Sequence, residues 1–102
     1  MKIAVDFDNV ICYRKGIPAV QEEWAMRKPV EGALDAVKLM MGQGHEVWVF
    51  TSNPELENVR SWLELNGFPE LKVTNIKKFA NVYIDDRALR FTNWNDIRKY
   101  FV

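Results

Sequence analysis

Apolar positions along this chain follow two rhythms. Runs of strand length, KIAVD at 2–6, EVWVF at 46–50 and NVYID at 81–85, gather β-branched and aromatic side chains, and LKVT at 71–74 is a weaker fourth. Between the first two runs, Val30, Ala33 or Leu34, Val37 and Met40 or Met41 recur at helical spacing until Gly42 and Gly44 break the pattern, which predicts an amphipathic helix with a marked end. A second helix is expected after EVWVF. Pro54 suits its first turn, Glu55 and Glu57 its positive end, Leu56, Val59 and Leu63 its buried stripe, and Asn66-Gly67 stops it. WNDIRKYF at 94–101 predicts a short terminal helix capped by Asn93 or Asn95. YRKGIPAVQEEWAMRKP at 13–29 shows no clean period.

Strands alternating with helices predict an α/β sandwich around a mainly parallel sheet. In open sheets of this kind ligands bind beyond the carboxyl ends of the strands, at a topological switch point. The residues that follow each strand therefore carry the functional reading. They are Asp6 and Asp8 after the first, Thr51 and Ser52 after the second, Lys77 and Lys78 in the loop before NVYID, then Asp85 and Asp86.

Composition narrows the class. The chain has 102 residues, enough for one domain spanning 1–102, and its 48% hydrophobic and 27% charged residues are those of a globular protein. Fourteen basic residues balance fourteen acidic ones, so no global field draws it to nucleic acid or an anionic membrane. One cysteine, Cys12, provides neither an internal disulfide nor a thiolate zinc site. With no signal-like or membrane-spanning run, a cytoplasmic setting and no membrane partner are expected.

Four of the six aspartates stand at two strand ends. Crowded into one partly dehydrated cleft they would repel one another, and a divalent cation removes that conflict. Oxygen-only ligation fits Mg²⁺, and the absence of a His or Cys cluster argues against zinc. A carboxylate nucleophile could then attack a phosphoryl group neutralised by the metal on one side and by a lysine and a hydroxyl on the other. Asp6, Thr51 and Lys77 supply these parts, and Asp8 is placed for general acid/base work.

This ordered set resembles the haloacid dehalogenase (HAD) superfamily. The resemblance rests on a hydrophobic strand followed by Asp6-Phe7-Asp8-Asn9-Val10 against DxDx[TV], on Thr51 in VFTS, on Lys77 or Lys78, and on Asp85-Asp86 in VYIDD. It implies a single Rossmann-like three-layer sandwich and a phosphatase that forms an aspartyl-phosphate on Asp6, with Asp8 as general acid/base. Thr51, Ser52 and Lys77 would bind the phosphate. Mg²⁺ would be held by Asp6, the Asp8 backbone carbonyl and Asp85, with Asp86 acting more indirectly. The second Asp is associated with phosphoryl transfer, so halide chemistry is disfavoured. Two features depart from the pattern. KKFA stands where KPxA is common, and aligning Ala80 favours Lys77 and leaves Lys78 as the alternative. Neither interval between motifs has room for a separate cap domain of roughly 50 residues, so a capless site is expected, open or covered by a loop, a bulky substrate or a second subunit of a homo-oligomer. In the family the segment after the first motif forms a flap, which makes Tyr13, Arg14 and Lys15 candidates for substrate contact.

Plainer roles stand beside these. Thr51-Ser52 can serve as a helix cap, one lysine of the pair can be a solvated surface residue, and Arg87 can clamp the acidic pair. His45 reads as a cap or packing residue, Cys12 as a small buried hydrophobe, and Trp48, Trp62 and Trp94 as core or interface. Among rival functions, a polynucleotide or nucleotide 5′- or 3′-phosphatase would use Arg14-Lys15 and Arg27-Lys28 on backbone phosphates, although the neutral net charge does not favour it. A receiver-like signalling module would show its acidic pair first and its lysine last, the reverse of this chain. A catalytically silent binding module of the same fold is the non-enzyme alternative.

Overall fold

The computed structural model describes residues 1–14 and 23–101. In chain order the elements are β1 (Lys2–Val5), α1 (Glu23–Met26), α2 (Ala33–Gly42), β2 (Glu46–Phe50), α3 (Leu56–Leu65), β3 (Val73–Thr74), β4 (Val82–Ile84) and α4 (Trp94–Arg98), followed by a 3-10 turn at Lys99–Phe101. The strands form one parallel sheet in the order β3-β2-β1-β4. This is a small α/β fold of the expected class.

Side-chain alternation explains how the sheet is covered. Ile3 and Val5 of β1, Val47 and Val49 of β2 and Val73 of β3 share one face, where Val37 of α2 and Val59, Trp62 and Leu63 of α3 complete the buried core. The connections β1-α2-β2 and β2-α3-β3 step the same way across the sheet, and right-handed crossovers put both helices on that face. Among the described residues the other face is covered without a helix. Residues 75–81 join β3 to β4 as irregular chain, Lys78 Nζ lies 4.3 Å from the centre of the buried Trp48 ring, and the Tyr83 hydroxyl donates to the Lys78 carbonyl. The described residues thus form a helical layer, a sheet and a loop covering, where the family resemblance implies a second helical layer.

Several boundaries differ from expectation. α3 begins at Leu56, so Pro54 lies ahead of its first turn, and Glu55 takes the N-cap position without a side-chain cap bond. The Asn53 side chain instead accepts the Glu55 N–H at 2.9 Å, leaving Pro54 inside an Asx-type turn. Val30 lies outside α2 and donates its N–H to the Ile11 carbonyl at 2.8 Å. Both long helices end as their glycines predict. Gly44 (φ 88) and Gly67 (φ 79) adopt the left-handed conformation. Their N–H groups reach Met41 and Glu64, and the next residues, His45 and Phe68, reach back to Met40 and Leu63. These are Schellman closures, the second one sealed by Phe68 against Trp62 at 5.9 Å.

After β3 the chain reverses direction across the sheet and lays β4 on the free side of β1. That reversal puts the carboxyl ends of β2, β1 and β4 side by side. No helix among the described residues is long and apolar enough to cross a membrane.

Candidate active site

Asp6 follows β1, and its N–H donates to the Ile84 carbonyl at 2.9 Å, so the β1–β4 ladder continues to the point where each strand gives way to aspartate. Each of Asp6, Asp85 and Asp86 offers a carboxylate oxygen, and these oxygens lie within 4.8 Å of one another. Asp6 is half-buried and the other two are exposed. Burial pushes the Asp6 carboxyl up to about 6, the fields of Asp85, Asp86 and Asp8 add to that, and the Phe7 N–H, 2.8 Å from Asp6 Oδ1, opposes it. Asp85 is itself ordered by the Arg87 N–H at 2.8 Å, so Arg87 reaches the acidic pair through its backbone. Three convergent oxygens, with no nitrogen or sulfur donor among them, suit a hard cation such as Mg²⁺ or Ca²⁺, whose charge would offset both the burial of Asp6 and the smaller repulsion from its acidic neighbours.

Beyond Asp6 the chain turns tightly. The Phe7 carbonyl accepts from the N–H groups of Val10, Ile11 and Cys12, and Asn9 takes a left-handed φ of 64, which asparagine tolerates better than most residues. Antiparallel bonds from Tyr13 N–H to Lys28 and from Val30 N–H to Ile11 then lay 11–13 beside 28–30. Tyr13 is exposed, while Arg14 is partly buried and gives its N–H to Asn9 Oδ1 at 2.9 Å. Lys15 lies outside the described residues.

Asp8 points to a different partner. Its Oδ1 is 2.8 Å from Nη1 of Arg27, whose side chain is 1% exposed against 30% for Asp8. The Arg27 guanidinium stacks 4.1 Å above the Trp24 ring, Trp24 Nε1 donates to Glu55 Oε2 at 3.1 Å, and Trp62 Nε1 donates to the Arg27 carbonyl at 3.2 Å. Phe7 packs between the two tryptophans, at 6.0 Å from Trp24 and 5.4 Å from Trp62. This corrects the expectation that Arg27 could contact an external phosphate backbone, because its charge is buried and spent on Asp8. The sequence singles out Arg27 only as a possible phosphate contact and Trp24 not at all, and neither as a partner of the Asp8 turn. The one available signal is that a half-buried acidic turn needs a cation, and nothing local names which. Cys12 is fully buried beside them, and burial pushes its thiol up to about 11 against the pull of Arg27, as expected of a packing residue.

Thr51 follows β2, is 1% exposed, and accepts the Asn53 N–H at 3.1 Å through Oγ1. Ser52 beside it is exposed. The two lysines sit on the helix-free face, Lys77 Nζ 5.2 Å from the Tyr83 ring centre and Lys78 over Trp48. Among the described residues neither makes an ion pair with the aspartate cluster. The fold thus brings Asp6, Asp85 and Asp86 together, places Thr51 on the strand next to Asp6, holds Asp8 on Arg27, and leaves both lysines resting on aromatic rings. No family model, curated protein or solved structure matches the chain.

Proposed function

We propose that the chain is a Mg²⁺-dependent phosphomonoester hydrolase of the HAD type that works through Asp6. The observation that carries this reading is the convergence of the Asp6, Asp85 and Asp86 carboxylates within 4.8 Å at the switch point of a parallel sheet. Asp6 is the member of the trio set in the sheet ladder, and Asp8 follows it on the same turn. Asp6, Asp85 and Asp86 would hold the ion, which when bound supplies charge neutralisation for the phosphoryl group.

In this reading an Asp6 carboxylate oxygen attacks phosphorus, the bond from phosphorus to the ester oxygen breaks, and Asp8 gives the leaving oxygen its proton. Water then attacks the phosphoryl group on Asp6 while Asp8 takes a proton from it. The phosphorus–Asp6 bond breaks, and inorganic phosphate and free Asp6 result. Thr51, Ser52 and Lys77 contact the phosphoryl oxygens. Lys77 is preferred to Lys78 because Lys78 covers the buried Trp48, whereas Lys77 lies over the more exposed Tyr83.

The test is phosphate release from a panel of sugar phosphates, nucleotides, phosphopeptides and end-phosphorylated oligonucleotides, with and without Mg²⁺. Turnover that requires Mg²⁺ and is abolished by Asp6→Asn is the expected result. No turnover across the panel, or equal turnover by the variant, overturns the proposal.

A further inference from the structure

Four carboxylates stand at this edge of the sheet, yet only three share a cation-sized space. Asp8 lies outside it, with its carboxylate bonded to Arg27. We propose that Arg27 is a positioning residue that holds the Asp8 carboxylate apart from the Asp6-Asp85-Asp86 trio, so that three carboxylates and not four face the cation. The separation rests on geometry, and its consequence for turnover rests on the phosphatase reading.

Arg27 is fixed from several directions. Its buried charge is tolerated only because a carboxylate partners it. Its guanidinium lies flat on Trp24, which Glu55 anchors at the start of α3, and its backbone carbonyl is held by Trp62 from within α3. The Arg27 guanidinium therefore cannot follow Asp8 toward the trio, and Asp8 leaves only by uncovering a buried charge. A lysine would keep that charge but not the planar stack or the forked donors. The turn itself helps, because the left-handed Asn9 directs the chain after Asp8 toward the 11–13 and 28–30 pairing that ends beside Arg27.

Mn²⁺ binding, followed by the magnetic resonance signal of the free ion, tests the separation without reference to activity. Asp8→Asn should leave the Mn²⁺ Kd within about threefold, because the carboxylate it removes is outside the cation set. Arg27→Met should tighten Mn²⁺ binding by about tenfold as Asp8 joins the trio, and the double variant Arg27→Met/Asp8→Asn should lose that gain. A loss beyond about tenfold in Asp8→Asn, or a gain that survives in the double variant, overturns the proposal. If Arg27→Met does not fold, Arg27→Lys, which keeps the charge and loses the stack, takes its place in the same Mn²⁺ comparison, where no tightening relative to wild type overturns the proposal. Arg27→Lys, assayed on p-nitrophenyl phosphate, should lower kcat by about 10–100-fold with KM unchanged. An equal effect on both constants, or none, overturns the role in turnover. If no variant and no wild type turns over while the Mn²⁺ pattern holds, the phosphatase reading fails and the separation of carboxylates stands.

Discussion

Thr51 has a structural role that the fold shows and, in the proposed function, a chemical one that a substitution can separate from it. It is almost wholly buried, and its hydroxyl accepts the Asn53 N–H that opens the turn into α3. Thr51→Val keeps the shape and leaves that N–H without its partner, so a loss of about 1–3 kcal/mol is expected in urea unfolding. Thr51→Ser should restore both stability and turnover. Recovery of stability without turnover would separate the two roles and assign the methyl group to the site. Asp85 makes the complementary case. Exposed and next to Asp6, it contributes little to packing, so Asp85→Asn should leave the unfolding midpoint nearly unchanged while weakening Mg²⁺ binding by about tenfold or more. Calorimetric titration with Mg²⁺ checks this directly.

At the scale of elements, the helix ends were written in the sequence and the strand ends only in part. Gly44 and Gly67 announce Schellman closures because only a residue without Cβ adopts positive φ cheaply, and both glycines do so. A Cβ added at Gly67 would meet nothing within 4 Å, so the cost of Gly67→Ala is purely conformational. It should destabilise the protein by about 1–2 kcal/mol with an unchanged denaturant slope, and Gly67→Asn by less. The start of α3 misled because Pro54 fits a first helical turn and equally fits the turn before it, and the Asn53 side chain selects the latter. The fate of 13–29 was less legible. A four-residue helix, α1, forms there because Trp24 and Arg27 dock on Phe7, Trp62, Asp8 and Glu55, contacts that no local period records.

At the scale of the whole molecule, the helical layer formed by the described residues stops at β1. Val82 and Ile84 lie in register with Ile3 and Val5, yet they are 39% and 38% exposed, because α2 and α3 cover the β1, β2 and β3 side of that face. α4 is capped by Asn93, whose side chain accepts the Asp96 N–H at 2.9 Å, and it leaves Trp94 exposed. Stability should depend on pH and on the cation together. The Asp6 carboxyl rises from an ordinary 3.8 to about 6 on folding. Between these values the folded state binds the extra proton, so this group's contribution to stability falls as pH rises from about 4 to about 6 and stays low above that. In the proposed site, bound Mg²⁺ would require the ionised trio and would offset its repulsion. The melting temperature should therefore rise more on adding Mg²⁺ at about pH 7.5 than at about pH 5, a difference that a thermal scan at the two values measures. Equal shifts would mean that Asp6 is not part of the cation site.

The sequence by itself determined the periods of its elements, the alternation of strand and helix, the glycine stops and the placing of aspartates after strands, because each follows from local backbone geometry and side-chain spacing. It also named the acidic residues that converge. Only the tertiary structure decided that Asp85 and Asp86 meet Asp6 through the β4–β1 pairing, that the second face of the sheet is covered by the loop carrying Lys77 and Lys78, and that Asp8 belongs to Arg27. These choices are made by packing between residues far apart in the chain. Nineteen positions separate Asp8 from Arg27, and what joins them is a buried charge in need of a partner.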